Sequence, residues 1–185
     1  ASRDLIKENG WAAVSIRAVA SRCSVSAGTI YNYYESKADL LSDTIESIWH
    51  EIFFHPEDEQ VFHDVESCIS WIYERLEYGN RQFPGFFSLH SFGFMRDEKT
   101  SGKKRMMKTW GHILNGLCEV LGNDPKVRAD VFDQEFTEKK FADILFSLIL
   151  VSMIRQDYDP SSVLMLVKKT LYVTVQSQAK FQKQV

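Results

Sequence analysis

Apolar residues spaced three and four apart recur through nearly the whole chain, and this spacing limits the possible folds more than any motif does. Leu40, Leu41, Ile45, Ile48, Trp49 and Ile52 hold one face of a 3.6-residue period as far as Phe54. Period-two alternation is scarce, so the chain reads as all-α. Its four prolines, Pro56, Pro84, Pro125 and Pro160, stand where helices should stop or start. The spacing predicts helices at about 60–81, 84–95, 103–121, 136–156 and 161–181, with a polar linker at 122–135 holding at most a short turn or helix. The longest apolar run, Phe141 to Ile154, spans 14 residues and is broken by Asp143. That is short of the roughly 20 residues a bilayer requires, so a buried helix is expected.

Closer signals crowd the first forty residues. Leu5 and Ile6 share one face of a helix that Asn9 and Gly10 should end with a left-handed residue, after which Trp11 tucks back. Ser15 is placed to cap a second helix whose stripe is Ile16, Val19, Ala20 and Cys23. Ser24 and Val25 turn the chain. Ser26 caps a third helix running to about Tyr34, and Ser36 caps a fourth, with Asp39 at the capping-box position.

Two short helices joined by a tight turn, the second too polar to bury, form a helix-turn-helix of the DNA-reading kind. Ile16, Val19, Ala20, Val25 and Ile30 are its expected core, leaving Ala27, Gly28, Thr29, Tyr31, Asn32 and Tyr33 facing outward. Ser26 and Thr29 supply hydroxyls for phosphates or base edges. Glycine costs about 1 kcal/mol inside a helix relative to alanine, and close approach to another molecule is one explanation for Gly28. Lys37, at the start of the fourth helix beside free backbone amides, suits a phosphate.

Charge allows DNA contact only locally. The net charge is −3 and the pI about 6.0. Residues 1–37 nevertheless hold five bases (Arg3, Lys7, Arg17, Arg22, Lys37) against three acids (Asp4, Glu8, Glu35), giving +2. Cys23, Cys68 and Cys118 lie 45 and 50 residues apart with no C-x-x-C pair, which fits a reducing compartment. With no leader pattern at the start, a cytoplasmic protein is expected. His50, His55 and His63 lack the spacing of a metal face, and no Walker loop, G-x-S-x-G or G-x-G-x-x-G occurs. Neither enzymatic activity, nor a metal, nor a cofactor is expected.

The stretch GWAAVSIRAVASRCSVSAGTIYNYYESKADLL resembles the N-terminal domain of TetR-family transcriptional regulators, over about residues 1–49. The family pattern runs from a glycine and an aromatic through T/S-I/V-R and G-V-S-x-G-T-L/I-Y-x-Y/H-F to K-x-x-L-L. It is met by Gly10, Trp11, Ser15, Ile16, Arg17, Val25, Ser26, Gly28, Thr29, Ile30, Tyr31, Tyr33, Lys37, Leu40 and Leu41. Ser24 departs from it where glycine is frequent, and Tyr34 where phenylalanine or another apolar residue is usual. The front of the first helix, and any basic arm before it, are expected to lie outside this chain. The resemblance implies DNA contacts by Arg17, Ser26, Ala27, Gly28, Thr29, Tyr31, Asn32, Tyr33 and Lys37. Arg17, Tyr31 and Lys37 would hold phosphates, while Ala27, Gly28, Asn32 and Tyr33 would face bases; for any one of these a plain solvated surface is the alternative.

The resemblance also divides the chain into a reading domain, 1–49, and a helical ligand-binding and dimerisation domain, 50–185. Within the second, FPGFFSLHSFGFM (83–95) falls where the family links cavity to reading head, although ordinary packing of the phenylalanines is the simpler account. Trp71, Phe87, His90, Phe94, Met107 and Trp110 are candidate cavity linings, with Arg75 or His90 to orient an anionic or hydrogen-bonding ligand. Two apolar faces on the 136–156 helix leave one for a partner. Phe146, Leu148, Ile149 and Met153, with Leu164, Val167, Leu171 and Val175 of the last helix, resemble the family's four-helix dimer interface; burial within one copy is the alternative. The implied function is a bacterial homodimeric regulator, a repressor released from double-stranded operator DNA by a small-molecule effector. The alternative is a ligand-binding or interaction protein of the same fold without DNA binding, which the acids of the fourth helix (Asp39, Asp43, Glu46, Glu51) leave open.

Overall fold

A computed structural model describes residues 1–53, 62–87 and 101–172. Among these residues the chain is all helical, with eight α-helices and no strand. The helix expected at 84–95 is seen only as far as a turn ending at Phe87, and the remainder, like positions 173–181 of the last helix, lies outside the described residues. No described helix is long and apolar enough to cross a membrane.

The first unit contains α1 (Ser2–Asn9), α2 (Ile16–Arg22) and α3 (Ala27–Tyr31). Gly10 closes α1 with φ 77° and ψ 172°, a positive φ but not the left-handed helical conformation expected. This geometry swings the chain into a 3-10 turn at Trp11–Ala13. Ser15 caps α2, its Oγ accepting the Ala18 N–H at 3.1 Å. Ile6, Val14, Ile16, Val19, Ala20 and Ile30 are buried together. Cys23 and Val25, expected inside, are exposed, because α2 is seven residues long and its last turn runs past the core. The reversal depends on Ser24, a non-glycine residue with φ 56°.

α4 (Lys37–Phe53) begins at Ser36, whose Oγ accepts the Asp39 N–H at 3.2 Å and donates to the Asp39 carboxylate at 2.9 Å. Its buried arc, Leu40, Leu41, Ile45, Ile48, Trp49, Ile52 and Phe53, serves both the small N-terminal core and the main body. The division expected at 49/50 therefore falls inside one continuous helix. Thr44, buried in that arc, donates its hydroxyl to the Leu40 carbonyl at 2.7 Å, which offsets the cost of burying it.

α5 (Val65–Gln82) and α6 (Ser101–Asn123) pack on α4, α7 (Glu138–Arg155) packs on α6, and α8 (Ser161–Val167) packs on α5 before widening into a π-type turn at Lys168–Tyr172. The α4–α5 crossing is close at Gly79: a Cβ there would lie 2.5 Å from Ile52 Cδ1 and 3.2 Å from Phe87 Cε2. α7 turns Phe141, Leu145, Ile149 and Met153 inward, and Tyr73 of α5 meets Ser152 of α7 at 2.8 Å between hydroxyls. Of the linker expected at 122–135, the first two positions extend α6 and the rest forms turns without a helix. Its Asp124 is buried, accepting the Val65 and Lys126 N–H groups at 2.9 and 2.8 Å and the Tyr172 hydroxyl at 2.5 Å.

The N-terminal unit is joined to the body by more than α4. The Trp11 N–H donates to the Pro84 carbonyl at 3.0 Å, and Gly85, with φ 78°, lies against Trp11. The Trp11 indole meets Phe86 edge-on at 5.8 Å between ring centroids.

Candidate nucleic-acid interface and ligand cavity

α3 is held by its first and last residues. Ser26 Oγ accepts the Thr29 N–H at 3.1 Å and shares a hydrogen bond with Thr29 Oγ1 at 3.0 Å. At the far end the Asn32 N–H reaches the Gly28 and Thr29 carbonyls, and the Tyr33 and Tyr34 N–H groups both reach Ile30. The helix therefore closes at Tyr31, short of Tyr34. Ile30 alone is fully buried, acting as the peg that seats the helix on α2.

Ser26, Gly28, Tyr31, Asn32 and Tyr33 are exposed, Tyr31 at 54% and Tyr33 at 80%. Thr29 is half-buried, and Ala27 packs against the core instead of facing fully outward. Two exposed tyrosines on a short segment are expensive to leave in water unless something else covers them. Gly28 has an ordinary backbone conformation, and a Cβ built on it would meet nothing nearer than Ser26 Oγ at 3.6 Å. The fold itself does not require glycine there, in contrast to Gly79.

The N-terminal bases fall into two groups. Arg3 and Lys7 both grip the Glu51 carboxylate, at 2.8 and 2.7 Å, and Arg22 makes a two-pronged pair with Glu8. That pair holds the Glu8 carboxyl below its ordinary range, chiefly through the Arg22 hydrogen bonds. Arg17 and Lys37 are exposed and form no ion pair among the described residues. These are the bases at the starts of α2 and α4, where backbone N–H groups also point outward.

A cavity of about 810 Å³ opens between α5 and α6. Phe53, Phe62, Cys68, Trp71, Ile72, Ile113 and Leu117 give it an apolar floor, while His63, His112, Glu119 and Asn123 stand at its exposed mouth. Burial pushes the Cys68 thiol up to about 12, leaving it a weak nucleophile at neutral pH. Among the described residues no group of His, Cys, Asp and Glu could hold a metal ion.

Of the cavity residues expected from sequence, Trp71 lies on this wall. Arg75 does not: its Nε donates to the Ile52 carbonyl and its Nη2 to the Glu51 carbonyl at 3.1 Å, closing the C-terminal end of α4, and it stacks on Tyr78. Phe87 is sealed in the core, Trp110 packs on Phe146 between α6 and α7, and Met107 is exposed. His90 and Phe94 lie outside the described residues. Sequence reasoning missed His63, His112, Gly116 and Glu119; the spacing of His112, Gly116 and Glu119 along one face of α6 was the available signal.

The expected partner face also divides. Ile149 and Met153, which continue the stripe begun by Phe141 and Leu145 on α7, and Val167 and Leu171 at the end of the chain's described part are taken up by the chain's own core. Phe146, Leu148 and Leu164 are half-buried, and Val175 lies outside the described residues. The apolar side chains left exposed are Ile144, Val151 and Ile154 on α7 and Met165 and Leu166 on α8.

Comparison with known proteins agrees with this geometry. No curated protein sequence matches the chain. Among solved structures, a transcriptional regulator FadR from Bacillus subtilis, crystallised in complex with stearoyl-CoA, shares the fold. The TM-score is 0.61 and the identity 16%, over 90% of this chain and 92% of that one. Residues 1–44, the segment that builds α1 to α3 and starts α4, match the profile described as bacterial regulatory proteins, tetR family. Residues 1–44 thus carry the N-terminal pattern of bacterial regulatory proteins of the tetR family.

Proposed function

We propose that the chain is a homodimeric, sequence-specific DNA-binding regulator, acting as a repressor, in which residues 1–49 read an operator and residues 50–185 dimerise and bind an effector. One observation carries the DNA-binding half. Arg3, Lys7 and Arg22 are consumed by Glu51 and Glu8, while Arg17 and Lys37 remain available beside an exposed helix of small and hydroxyl-bearing residues. Arg17, Tyr31 and Lys37 take phosphates; Gly28, Asn32 and Tyr33 approach base edges.

Dimerisation is supported by the exposed apolar side chains of α7 and α8, a patch that a monomer would leave in water. A two-fold pairing there presents two α3 helices to successive major grooves, roughly 34–36 Å apart. The cavity volume lies within the range of small-molecule sites, and the stearoyl-CoA held by the FadR of shared fold supports a ligand in the helical body. A ligand that prefers the dimer with its reading helices misplaced draws the population off DNA, and DNA must weaken that ligand reciprocally.

The test is a salt titration of DNA affinity. Each phosphate neutralised contributes about −0.9 to the log–log slope. Arg17→Ala and Lys37→Ala are each expected to flatten the slope by about that amount, and Arg22→Ala to leave it unchanged. Equal slopes in all three variants would refute the assigned phosphate contacts.

A further inference from the structure

We infer that Glu51 is a positioning residue for DNA reading: its carboxylate fixes the three-helix head at one tilt on the far end of α4. The inference rests on the proposed reading of DNA by α3 and adds to it the group that aims the head. An acid in the last turn of a helix opposes the helix dipole, so Glu51 is misplaced for α4 alone. Its partners explain it. Arg3 Nη1 reaches Oε2 at 2.8 Å and Lys7 Nζ reaches Oε1 at 2.7 Å, so each carboxylate oxygen holds one base of α1. Arg3 and Lys7 stand one turn apart on a single face of α1, and a grip at two points resists rotation of that helix as well as sliding.

The same turn of α4 is also held by α5. Arg75 donates to the Glu51 carbonyl at 3.1 Å and to the Ile52 carbonyl, while Lys7 lies over the Phe83 ring, 5.0 Å from its centroid. α1, α4 and α5 therefore meet at residues 51–52. The Glu51 side chain is 19% exposed, so removing its partners would leave a poorly hydrated charge. Glu51 lies about 21 Å along α4 from Lys37, the base assigned to a phosphate, and both its oxygens are occupied. Its influence on a duplex held at α3 is therefore through the angle of the head and not through contact. Two copies reading half-sites at a fixed separation need both heads at one angle, so this link sets which spacing is accepted. The other ties from head to body, α4 itself and the contacts of Trp11 with Pro84 and Phe86, remain when it is cut.

The test is fluorescence anisotropy of the full chain with a duplex selected from a random-sequence pool, and with the same duplex carrying one extra base pair between its half-sites. The insertion shifts one half-site by about 3.4 Å and turns it by about 35°. The parent is expected to lose at least about tenfold on the longer duplex. Glu51→Gln is expected to bind the selected duplex about fivefold more weakly, to lose less than about threefold on the insertion, and to keep the parent's salt slope, because no phosphate contact is removed. A chain carrying Arg3→Gln and Lys7→Gln cuts the same link from α1 and should relax the spacing alike, with Glu51→Gln adding nothing further to it. Circular dichroism checks that each variant is folded, and the α1 variant carries the test should Glu51→Gln melt too low. An unchanged spacing preference in the folded variants, or a flattened salt slope in Glu51→Gln, would overturn the positioning role and leave DNA reading standing. A parent that selects no sequence would overturn DNA reading and this inference together.

Discussion

Gly28→Ala sets stability against function at one atom. The added Cβ meets nothing within the chain nearer than 3.6 Å, so no packing is lost. Alanine is favoured over glycine in a helix by about 0.8–1.0 kcal/mol in the interior, and by somewhat less at the second position of α3. A gain of about 0.5 kcal/mol is expected, raising the melting temperature by about 1–2 °C for a chain of this length. Against DNA the same methyl stands where backbone and groove must meet. Displacing that contact by a few tenths of an ångström along the helix start is expected to weaken operator binding by at least about tenfold, or about 1.4 kcal/mol. The assays are a thermal melt and fluorescence anisotropy with labelled duplex at one fixed salt concentration. A variant that melts higher and still binds DNA as tightly as the parent would refute the close approach; one that melts lower would show that glycine serves the fold.

Three further substitutions test the fold that presents the reading helix. Gly79→Ala forces a Cβ to 2.5 Å from Ile52 Cδ1, and overpacking is expected to cost about 1–3 kcal/mol in chemical denaturation; a neutral result would mean that the α4–α5 crossing is looser than it looks. Ser24→Gly relieves a side chain at φ 56° and is expected to stabilise by about 0.5 kcal/mol, the local gain being partly offset by a freer unfolded chain. Asp64→Asn removes a carboxyl held down to about 2, first by the Lys126 hydrogen bond and then by the Ser67 backbone and side chain. Because the folded value lies below the unfolded one, near 3.9, its stabilisation is complete above about pH 4 and is lost as pH falls toward 2. With Lys126 half exposed, the loss at neutral pH is expected to be about 1 kcal/mol, and the parent and variant should converge in urea melts near pH 2. Parallel pH profiles would contradict the assignment.

What the sequence could disclose follows the range of the interactions. The caps at Ser15, Ser26 and Ser36 depend on residues three apart, and all form as the spacing predicts. The outward placement of Tyr31, Asn32 and Tyr33 is likewise local, since Ile30 is the one buried residue of its helix. The partner face of α7 was harder to read because the helix is apolar on both sides. Ile149 and Ile154 look alike in sequence, and only the packing of α7 in the folded chain shows that the first is buried while the second is exposed. Cavity residues depend on the rotation of two helices about forty positions apart. Arg75 shows the same limit: nothing in its neighbours reveals that it closes the end of α4 across 23 residues of sequence.

The central claim is that the exposed face of α3 exists to read duplex DNA. Selection of the full chain against a pool of random-sequence duplexes tests it most directly. The account predicts enrichment of a near-palindrome with half-site centres about one helical turn apart, lost when Tyr31, Asn32 and Tyr33 are replaced by alanine. A pool that emerges without any shared sequence, retained equally by that triple variant, would contradict it.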